Sequence, residues 1–117
     1  MTPVDVEARA DGVIVLAPAG RLTIGPGLAE LGDAVASACR RPRPRVVVDL
    51  AAVTYVDSAA LGELVAARRR VAAAGGAFAL ARPRGKVRDL LDLTRLHELL
   101  TIRDSLGEAS RSVLAAS

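Results

Sequence analysis

The amino-acid sequence predicts an α/β fold in which a mixed β-sheet is packed with about four helices. Runs of β-branched and other apolar residues alternate along the chain with segments whose apolar residues recur at helical spacing. Two further apolar segments near the N-terminus are joined by Asp11-Gly12, which predicts an antiparallel hairpin. Strands separated by helices pair in parallel through right-handed crossovers, so the predicted element order is ββαβαβαβα.

The hairpin comes first. Residues 4–8 alternate between apolar and polar, and the apolar residues 13–16 follow Asp11-Gly12, which predicts a tight primed turn. We expect residues 20–27 (GRLTIGPG) to form a loop in which Pro26 is placed to begin a helix.

The first helix is predicted from an apolar stripe, and a central strand follows it. Pro42 and Pro44 prevent the helix from continuing. Residues 45–50 (RVVVDL) form a β-branched run that is typical of a strand covered on both faces. Cys39 is expected to be a small core residue. The stripe consists of Leu28, Leu31, Val35 and Cys39.

The second helix is predicted to begin after Asp57 and to end before Gly75-Gly76. Arg68 falls on its apolar face, where a long aliphatic stem would let the guanidinium reach solvent. Another buried strand is expected at Ala77–Ala81. The apolar face of the helix is expected to carry Leu61, Leu64, Val65, Val71 and Ala72.

Three short elements complete the chain. Pro83 is expected to open a short helix, and residues 99–102 to form a last strand. Ser105 and Glu108 form a capping box that starts a C-terminal helix. The inward residues of these two helices are predicted to be Val87, Leu90 and Leu91, then Leu106, Ala109 and Val113.

Length and composition predict one domain, residues 1–117. Hydrophobic residues make up 51% of the chain, and a single cysteine leaves no internal disulfide, which suits a reducing compartment. No apolar run approaches the roughly 18 residues of a membrane span, and MTPVDVEARA lacks the pattern of a signal peptide. We therefore expect a cytoplasmic monomer that does not insert into membranes.

The charge pattern bears on nucleic-acid binding. The net charge is +3, and arginine-rich clusters occupy residues 40–45, 68–70 and 82–88. Each cluster lies at or near a predicted helix end, where arginine is solvated and favoured by the helix dipole. Tyr55 and Phe78 are the sole aromatic residues, whereas nucleic-acid binders often stack bases on aromatics. We expect no nucleic-acid partner, although this class stays a rival.

Few residues are arranged for catalysis. Ser58 would need a general base, but His97 is the sole histidine and no G-x-S-x-G sequence surrounds Ser58. One cysteine and one histidine cannot complete a zinc shell, and no glycine-rich nucleotide-binding sequence occurs. The sequence thus predicts a non-enzyme with no cofactor and no metal, with a Ser58-dependent esterase as a rival.

The joint between Asp57 and Ser58 offers more polar atoms than a helix start needs. One capping oxygen is enough, and Asp57 supplies it. The Ser58 hydroxyl therefore either fills the first turn or serves something outside the fold. It would lie on the rim where α/β folds keep their sites, and a phosphate there would face free N–H groups and the positive end of the helix dipole.

These residues carry a resemblance to a known family. The stretch VVVDLAAVTYVDSAALGELVAARRRVAAAGG, followed by ARPRGKVRDLLDLTRL, resembles the STAS domain of anti-sigma factor antagonists. The likeness extends over nearly the whole chain and includes the G-x-L motif at residues 20–22. The family motif D-S-[ST]-G-L-G corresponds to DSAALG at residues 57–62, and the family's phosphoacceptor serine matches Ser58.

The resemblance implies a function. The unphosphorylated protein would bind an anti-sigma factor that is also a serine kinase and so free a sigma factor. Phosphorylation of Ser58 would release that partner, and a serine phosphatase would reset the switch. By this resemblance the partner-binding residues are Asp57, Ser58, Ala59, Ala60, Leu61 and Gly62, together with Arg21 and Thr23 from the 20–27 segment.

The sequence departs from the family at two places, and one alternative stays open. Thr23 stands where the family often has aspartate, and Ala59-Ala60 replace a hydroxyl residue and a glycine. The nearest alternative function is that of a STAS subunit of a membrane lipid ABC transporter, which would bind the transporter ATPase and lack the phosphoacceptor role.

Overall fold

The computed structural model describes residues 4–116, so residues 1–3 and 117 of the predicted domain lie outside the described residues. The strands are β1 (Val4–Ala8), β2 (Val13–Pro18), β3 (Gly20–Leu22), β4 (Arg45–Asp49), β5 (Val53–Val56), β6 (Ala77–Ala81) and β7 (Thr101–Arg103). The helices are α1 (Pro26–Ala38), α2 (Ser58–Ala73), α3 (Gly85–Leu93) and α4 (Leu106–Ala115), and a 3₁₀ turn spans Leu96–Glu98.

The main sheet has the strand order β1-β2-β4-β6-β7. β1 and β2 are antiparallel, whereas β2–β4, β4–β6 and β6–β7 are parallel. Over residues 4–116 this arrangement confirms the predicted α/β class, with a mixed sheet, an N-terminal hairpin and four helices. β4 lies at the centre because its valines can pack on both faces of the sheet.

The sheet separates two apolar layers. Residues of α1, α2 and α3 pack on one face, and α4 covers the other. Val47 and Phe78, which lie in the two strands predicted to be buried, are 0% and 7% exposed in the adjacent strands β4 and β6. The first half of the predicted capping box is also confirmed, because the Glu108 N–H donates to the Ser105 Oγ at 3.0 Å, whereas the Glu108 carboxylate accepts from the Ser105 hydroxyl at 3.1 Å and not from its backbone N–H.

The prediction of a loop over residues 20–27 is wrong for its first part. β3 pairs in parallel with β5, and the two strands form a separate two-stranded ribbon. Neither strand was visible in the sequence, because runs this short carry too little periodicity to be recognised. Their pairing also depends on segments that are distant in the chain.

The predicted primed turn is also absent. Four residues, Arg9 to Gly12, join the hairpin strands, and the Gly12 N–H donates to the Arg9 carbonyl at 3.0 Å. Only Gly12 among them has a positive φ, of 91°. The Asp11 carboxylate instead accepts from the Val13 N–H at 3.0 Å, which stabilises a local turn without a left-handed aspartate.

Two element boundaries differ from the predictions. α3 begins at Gly85 and not at Pro83, because Arg82 has a φ of 56° and donates its N–H to the Arg103 carbonyl. This bond continues the β6–β7 ladder past the end of β6. The last strand begins at Thr101, since Leu99 caps the 3₁₀ turn and donates its N–H to the Leu96 carbonyl.

The buried faces of the first two helices shift by about one position. Cys39 is half-buried, and Ala38 takes the core position that was predicted for it. Ala72 and Arg68, both predicted on the apolar face of α2, are exposed. Alanine is small and weakly apolar, so the sequence pattern did not mark the two alanines at the centre of the buried face. The buried residues of α2 are Ala60, Leu64, Ala67 and Val71.

Candidate functional site

Asp57 lies between the end of β5 and the start of α2, and both of its carboxylate oxygens are used. Oδ1 accepts from the Ala60 N–H at 2.8 Å, which is the predicted cap of α2. Oδ2 accepts from the Ile24 N–H at 2.9 Å. These backbone donors, that of Ile24 foremost, hold the pKa of Asp57 below its usual range. The carboxylate is therefore ionised at neutral pH.

Ser58 is the first residue of α2, and its side chain is exposed. Its hydroxyl makes no hydrogen bond within residues 4–116, whereas Asp57 alone performs the capping. α2 has 16 residues, so its N-terminus presents backbone donors and the positive end of a helix dipole beside this hydroxyl. The structure thus leaves the Ser58 hydroxyl available to solvent.

The β3–β5 ribbon brings the 20–24 segment to the start of α2. Leu22 pairs with Val56, one residue before Asp57, and the Gly20 N–H donates to the Ala52 carbonyl at 2.8 Å. The Arg21 guanidinium lies over the Tyr55 ring, 4.6 Å from its centroid. This cation–π contact orients Arg21 on the ribbon.

We call the surface formed by residues 21–24 and 57–62 the docking rim, after the role that the family resemblance predicts for it. The ribbon and the Asp57–Ile24 hydrogen bond bring its two halves together. Arg21, Ser58 and Gly62 are exposed, and Thr23, Ala59 and Leu61 are half-buried. Ala60 is fully buried in the core, so its side chain packs inside the domain and not on the rim surface.

Sequence reasoning did not single out two residues of this region. Ile24 is 79% exposed, although it is a large apolar residue. Tyr55 is half-buried beneath Arg21. An isoleucine between the polar or flexible residues Thr23 and Gly25 was the signal that could have identified Ile24, because an apolar side chain in an exposed turn has no packing role there.

The structure does not favour catalysis by Ser58. α2 runs from Ser58 back to the amino end of β6, whereas His97 lies in the 3₁₀ turn that leads to the amino end of β7. Ser58 is therefore on the side of the carboxyl ends of the strands and His97 on the side of their amino ends.

Within residues 4–116, no group of three or more His, Cys, Asp or Glu side chains is placed to hold a metal ion. The same residues include no helix with the length and apolar character needed to cross a bilayer.

The fold defines the class of protein, and comparison with known families agrees. The family model described as "STAS domain" matches residues 8–109, so the chain belongs to the STAS domain family.

Within this family, several proteins similar to this chain are named anti-sigma factor antagonists. A relative from Thermotoga maritima, provisionally named an anti-sigma factor antagonist, is 35% identical over 69 residues, which are 59% of this chain and 61% of the relative. The chain therefore aligns with less than two thirds of that relative's length. A crystal structure from the same organism, with the same provisional name, is 28% identical with a TM-score of 0.83 and covers 95% of this chain and 94% of that one. The crystal structure of an anti-sigma factor antagonist from Mycobacterium paratuberculosis is 27% identical with a TM-score of 0.78 and covers 95% and 92%.

The same fold also occurs in a protein solved in two modification states. The anti-sigma factor antagonist SpoIIAA in its unphosphorylated form is 14% identical with a TM-score of 0.70, covering 97% of this chain and 99% of that one. The Bacillus SpoIIAA in the phosphorylated form is 16% identical with a TM-score of 0.69, covering 94% and 98%. At these identities the likeness concerns the fold alone.

Proposed function

We propose that this protein is an anti-sigma factor antagonist that is switched by phosphorylation of Ser58. In the unphosphorylated form the docking rim binds an anti-sigma factor with serine kinase activity and thereby frees a sigma factor. The observation that carries the proposal is the exposed Ser58 hydroxyl, which has no partner within residues 4–116 because Asp57 performs the capping. The names of the similar proteins support the same assignment.

The modification of Ser58 is the transfer of a phosphoryl group from ATP. The Ser58 Oγ forms a bond to the γ-phosphorus of ATP held by the kinase, and the bond from that phosphorus to the β–γ bridging oxygen breaks. The hydroxyl proton passes to a base of the kinase, and ADP leaves. A serine phosphatase reverses the result by hydrolysis. The ATP belongs to the kinase, so the antagonist itself needs no cofactor.

The fold tolerates a phosphate at Ser58 for a physical reason. The phosphate carries a charge of about −1.5 to −2 and would lie at the positive end of the α2 dipole. The first turn of α2 contains no acidic side chain that would repel it. Asp57 adds one like charge, but at a solvent-exposed helix start water screens that repulsion. We therefore expect phosphorylation to leave the melting temperature nearly unchanged.

The bound partner would not be equally tolerant. The rim around Ser58 presents Ile24, Leu61 and Gly62, which suit a close apolar contact. A phosphate pressed into that contact would lose its water beside the ionised Asp57. An uncompensated charge in an interface costs roughly 3 kcal/mol or more, which corresponds to over a hundredfold in affinity.

The proposal is tested by co-purification with three variants. Ser58→Ala is expected to retain an anti-sigma kinase in the presence of ATP, and Ser58→Glu to lose it. Ser112→Ala, which changes a half-buried serine of α4 on the other face of the sheet, is the matched control and is expected to behave like the wild type. Capture of a transporter ATPase in place of a serine kinase would overturn the proposal in favour of the transporter role.

The proposed function also implies a cytoplasmic protein that acts beside the transcription machinery without binding DNA itself.

A further inference from the structure

β1 is the terminal strand of the main sheet, and one of its two edges is open within residues 4–116. An open strand edge carries unpaired backbone groups that can accept another strand. Four of the five β1 residues are exposed, including Val6, whose exposed fraction is 60%. The exposed edge is therefore apolar in part and accessible along most of its length.

The register shows which backbone groups point outward. The Arg9 N–H donates to the Val13 carbonyl at 2.9 Å, so Arg9 and Val13 are a hydrogen-bonded pair of the antiparallel ladder. Hydrogen-bonded and non-hydrogen-bonded pairs alternate along an antiparallel ladder, so the next hydrogen-bonded pair is Glu7 with Val15. The outward N–H and C=O groups consequently belong to Val4, Val6 and Ala8.

A hollow of about 170 Å³ lies beside this edge, between the sheet and the first helix. It is mostly apolar, so side chains of an added strand that point toward α1 would find an apolar place to pack. Its lining includes Val6, Ala8 and Ile14 from the sheet and Ala34, Ala38 and Arg41 from α1 and the loop after it.

The other face of β1 carries negative charge. Asp5 and Glu7 alternate with Val4, Val6 and Ala8 and so point to the face opposite the hollow. Both are exposed, and neither forms an ion pair within residues 4–116. The edge therefore has one apolar face and one acidic face.

This charge pattern argues against a second copy of the chain as the occupant. Antiparallel pairing of two β1 strands about Val6 would place Glu7 opposite Asp5 of the second copy. Parallel pairing would also bring the carboxylates of the two copies together. Like charges opposite one another destabilise a strand pair, so the edge discourages self-association.

We propose that the open edge of β1 binds an extended segment of a partner protein in which apolar residues alternate with lysine or arginine. Its backbone would pair with Val4, Val6 and Ala8, its apolar side chains would enter the hollow, and its basic side chains would face Asp5 and Glu7. The surface shares no residue with the docking rim. The inference therefore stands or falls independently of the proposed role of Ser58.

The first test uses two synthetic peptides of equal length, one with alternating valine and lysine and one with alternating valine and glutamate. We expect binding of the valine–lysine peptide alone, although the net charge of the protein is +3 and would attract the other. Asp5→Lys/Glu7→Lys should weaken binding by about tenfold or more. The matched control Asp89→Lys/Asp92→Lys, with the same charge change on exposed residues of α3, should bind like the wild type. Equal binding of both peptides, or equal loss in both double variants, would overturn the proposal.

The second test follows individual backbone groups. In the unbound protein the amides of Val6 and Ala8 should exchange with solvent faster than those of Glu7 and Arg9, and the valine–lysine peptide should slow the exchange of Val6 and Ala8. Val6→Pro removes an outward donor and leaves the β1–β2 bonds intact, so it should abolish peptide binding, while Val6→Thr should keep it. Protection confined to other amides, or a folded Val6→Pro variant that binds normally, would contradict the assignment.

Discussion

The Asp57 Oδ2 atom accepts a hydrogen bond from the Ile24 N–H at 2.9 Å, although the two residues are 33 positions apart in the chain. Its other oxygen caps α2 through the Ala60 N–H. A single carboxylate thus joins the first turn of α2 to the segment after β3. The exposed Ile24 side chain and the Ser58 hydroxyl are held on one surface as a result.

This double role predicts a pH dependence. The pKa of Asp57 is lowered in the fold, chiefly by the Ile24 N–H, so the ionised carboxylate stabilises the native state above its ordinary pKa of 3.8. That stabilisation is lost as the pH falls through the lower folded value. We expect Asp57→Asn to melt below the wild type at neutral pH and the gap to narrow as the pH falls below 3.8. Asp92→Asn, an exposed carboxylate of α3, is the control and should match the wild type at neutral pH. A gap that widens on acidification would refute the assignment.

Two glycines should respond in opposite ways to alanine. A Cβ at Gly76 would lie 1.9 Å from the Pro44 carbonyl oxygen, whereas one at Gly62 meets nothing within 4 Å. Gly76→Ala should therefore cost about 1–3 kcal/mol of unfolding free energy. Gly62→Ala should add about 0.5–1 kcal/mol, because Gly62 lies inside α2. Denaturant unfolding measures both, and equal stability of the two variants would contradict the close approach at Gly76.

The central strand should not tolerate a charge. Val47 of β4 is 0% exposed and packs beneath α4, so Val47→Asp would bury an unpaired carboxylate. The cost of several kcal/mol is enough to unfold a domain of ordinary stability. Thr54→Asp, at an exposed position of β5, provides the matched control. Circular dichroism should show an unfolded Val47→Asp and a folded Thr54→Asp, and an unchanged melting temperature for Val47→Asp would be incompatible with the strand assignment.

Two arginines of the 82–88 cluster should differ in their contribution to stability. Arg82 makes two hydrogen bonds to Asp49, at 3.1 and 2.6 Å, and Asp49 is 7% exposed. Arg82→Ala would remove the ion-pair partner of the buried Asp49, which would keep only the Ala51 N–H as a donor, and should cost about 1–3 kcal/mol. Arg88→Ala removes an ion pair with the exposed Asp104 and should cost less than about 1 kcal/mol. Similar losses in the two variants would mean that burial of Asp49 has no consequence.

Local patterns explain which parts of the fold were predictable. The β-branched run of β4, the helix stop at Gly75 and the N-cap at Ser105 are each set by neighbouring residues, and each of these predictions is confirmed. β3 and β5 were missed because each strand exists through its pairing with the other. The Arg82–Asp49 ion pair was missed for the same reason, since it joins the ends of two neighbouring strands.

The candidate site also has features that the local sequence predicts and features that depend on contacts between distant segments. The capping role of Asp57 followed from its place before an apolar helix, and it is confirmed. Its second hydrogen bond, to Ile24, depends on the ribbon that brings two distant segments together, so no local pattern encodes it. The exposure of Ile24 and the contact between Arg21 and Tyr55 depend on that ribbon as well.

The measurement that tests the proposed switch most directly compares one protein in two states. The wild type is incubated with its anti-sigma kinase and ATP, the phosphate is mapped by mass spectrometry, and affinity for the partner is measured before and after modification. We expect the phosphate on Ser58, affinity lowered by more than about a hundredfold, and a nearly unchanged melting temperature. A phosphate on another residue, or equal affinity of the two forms, would contradict the switch and leave Ser58 as an ordinary first residue of α2.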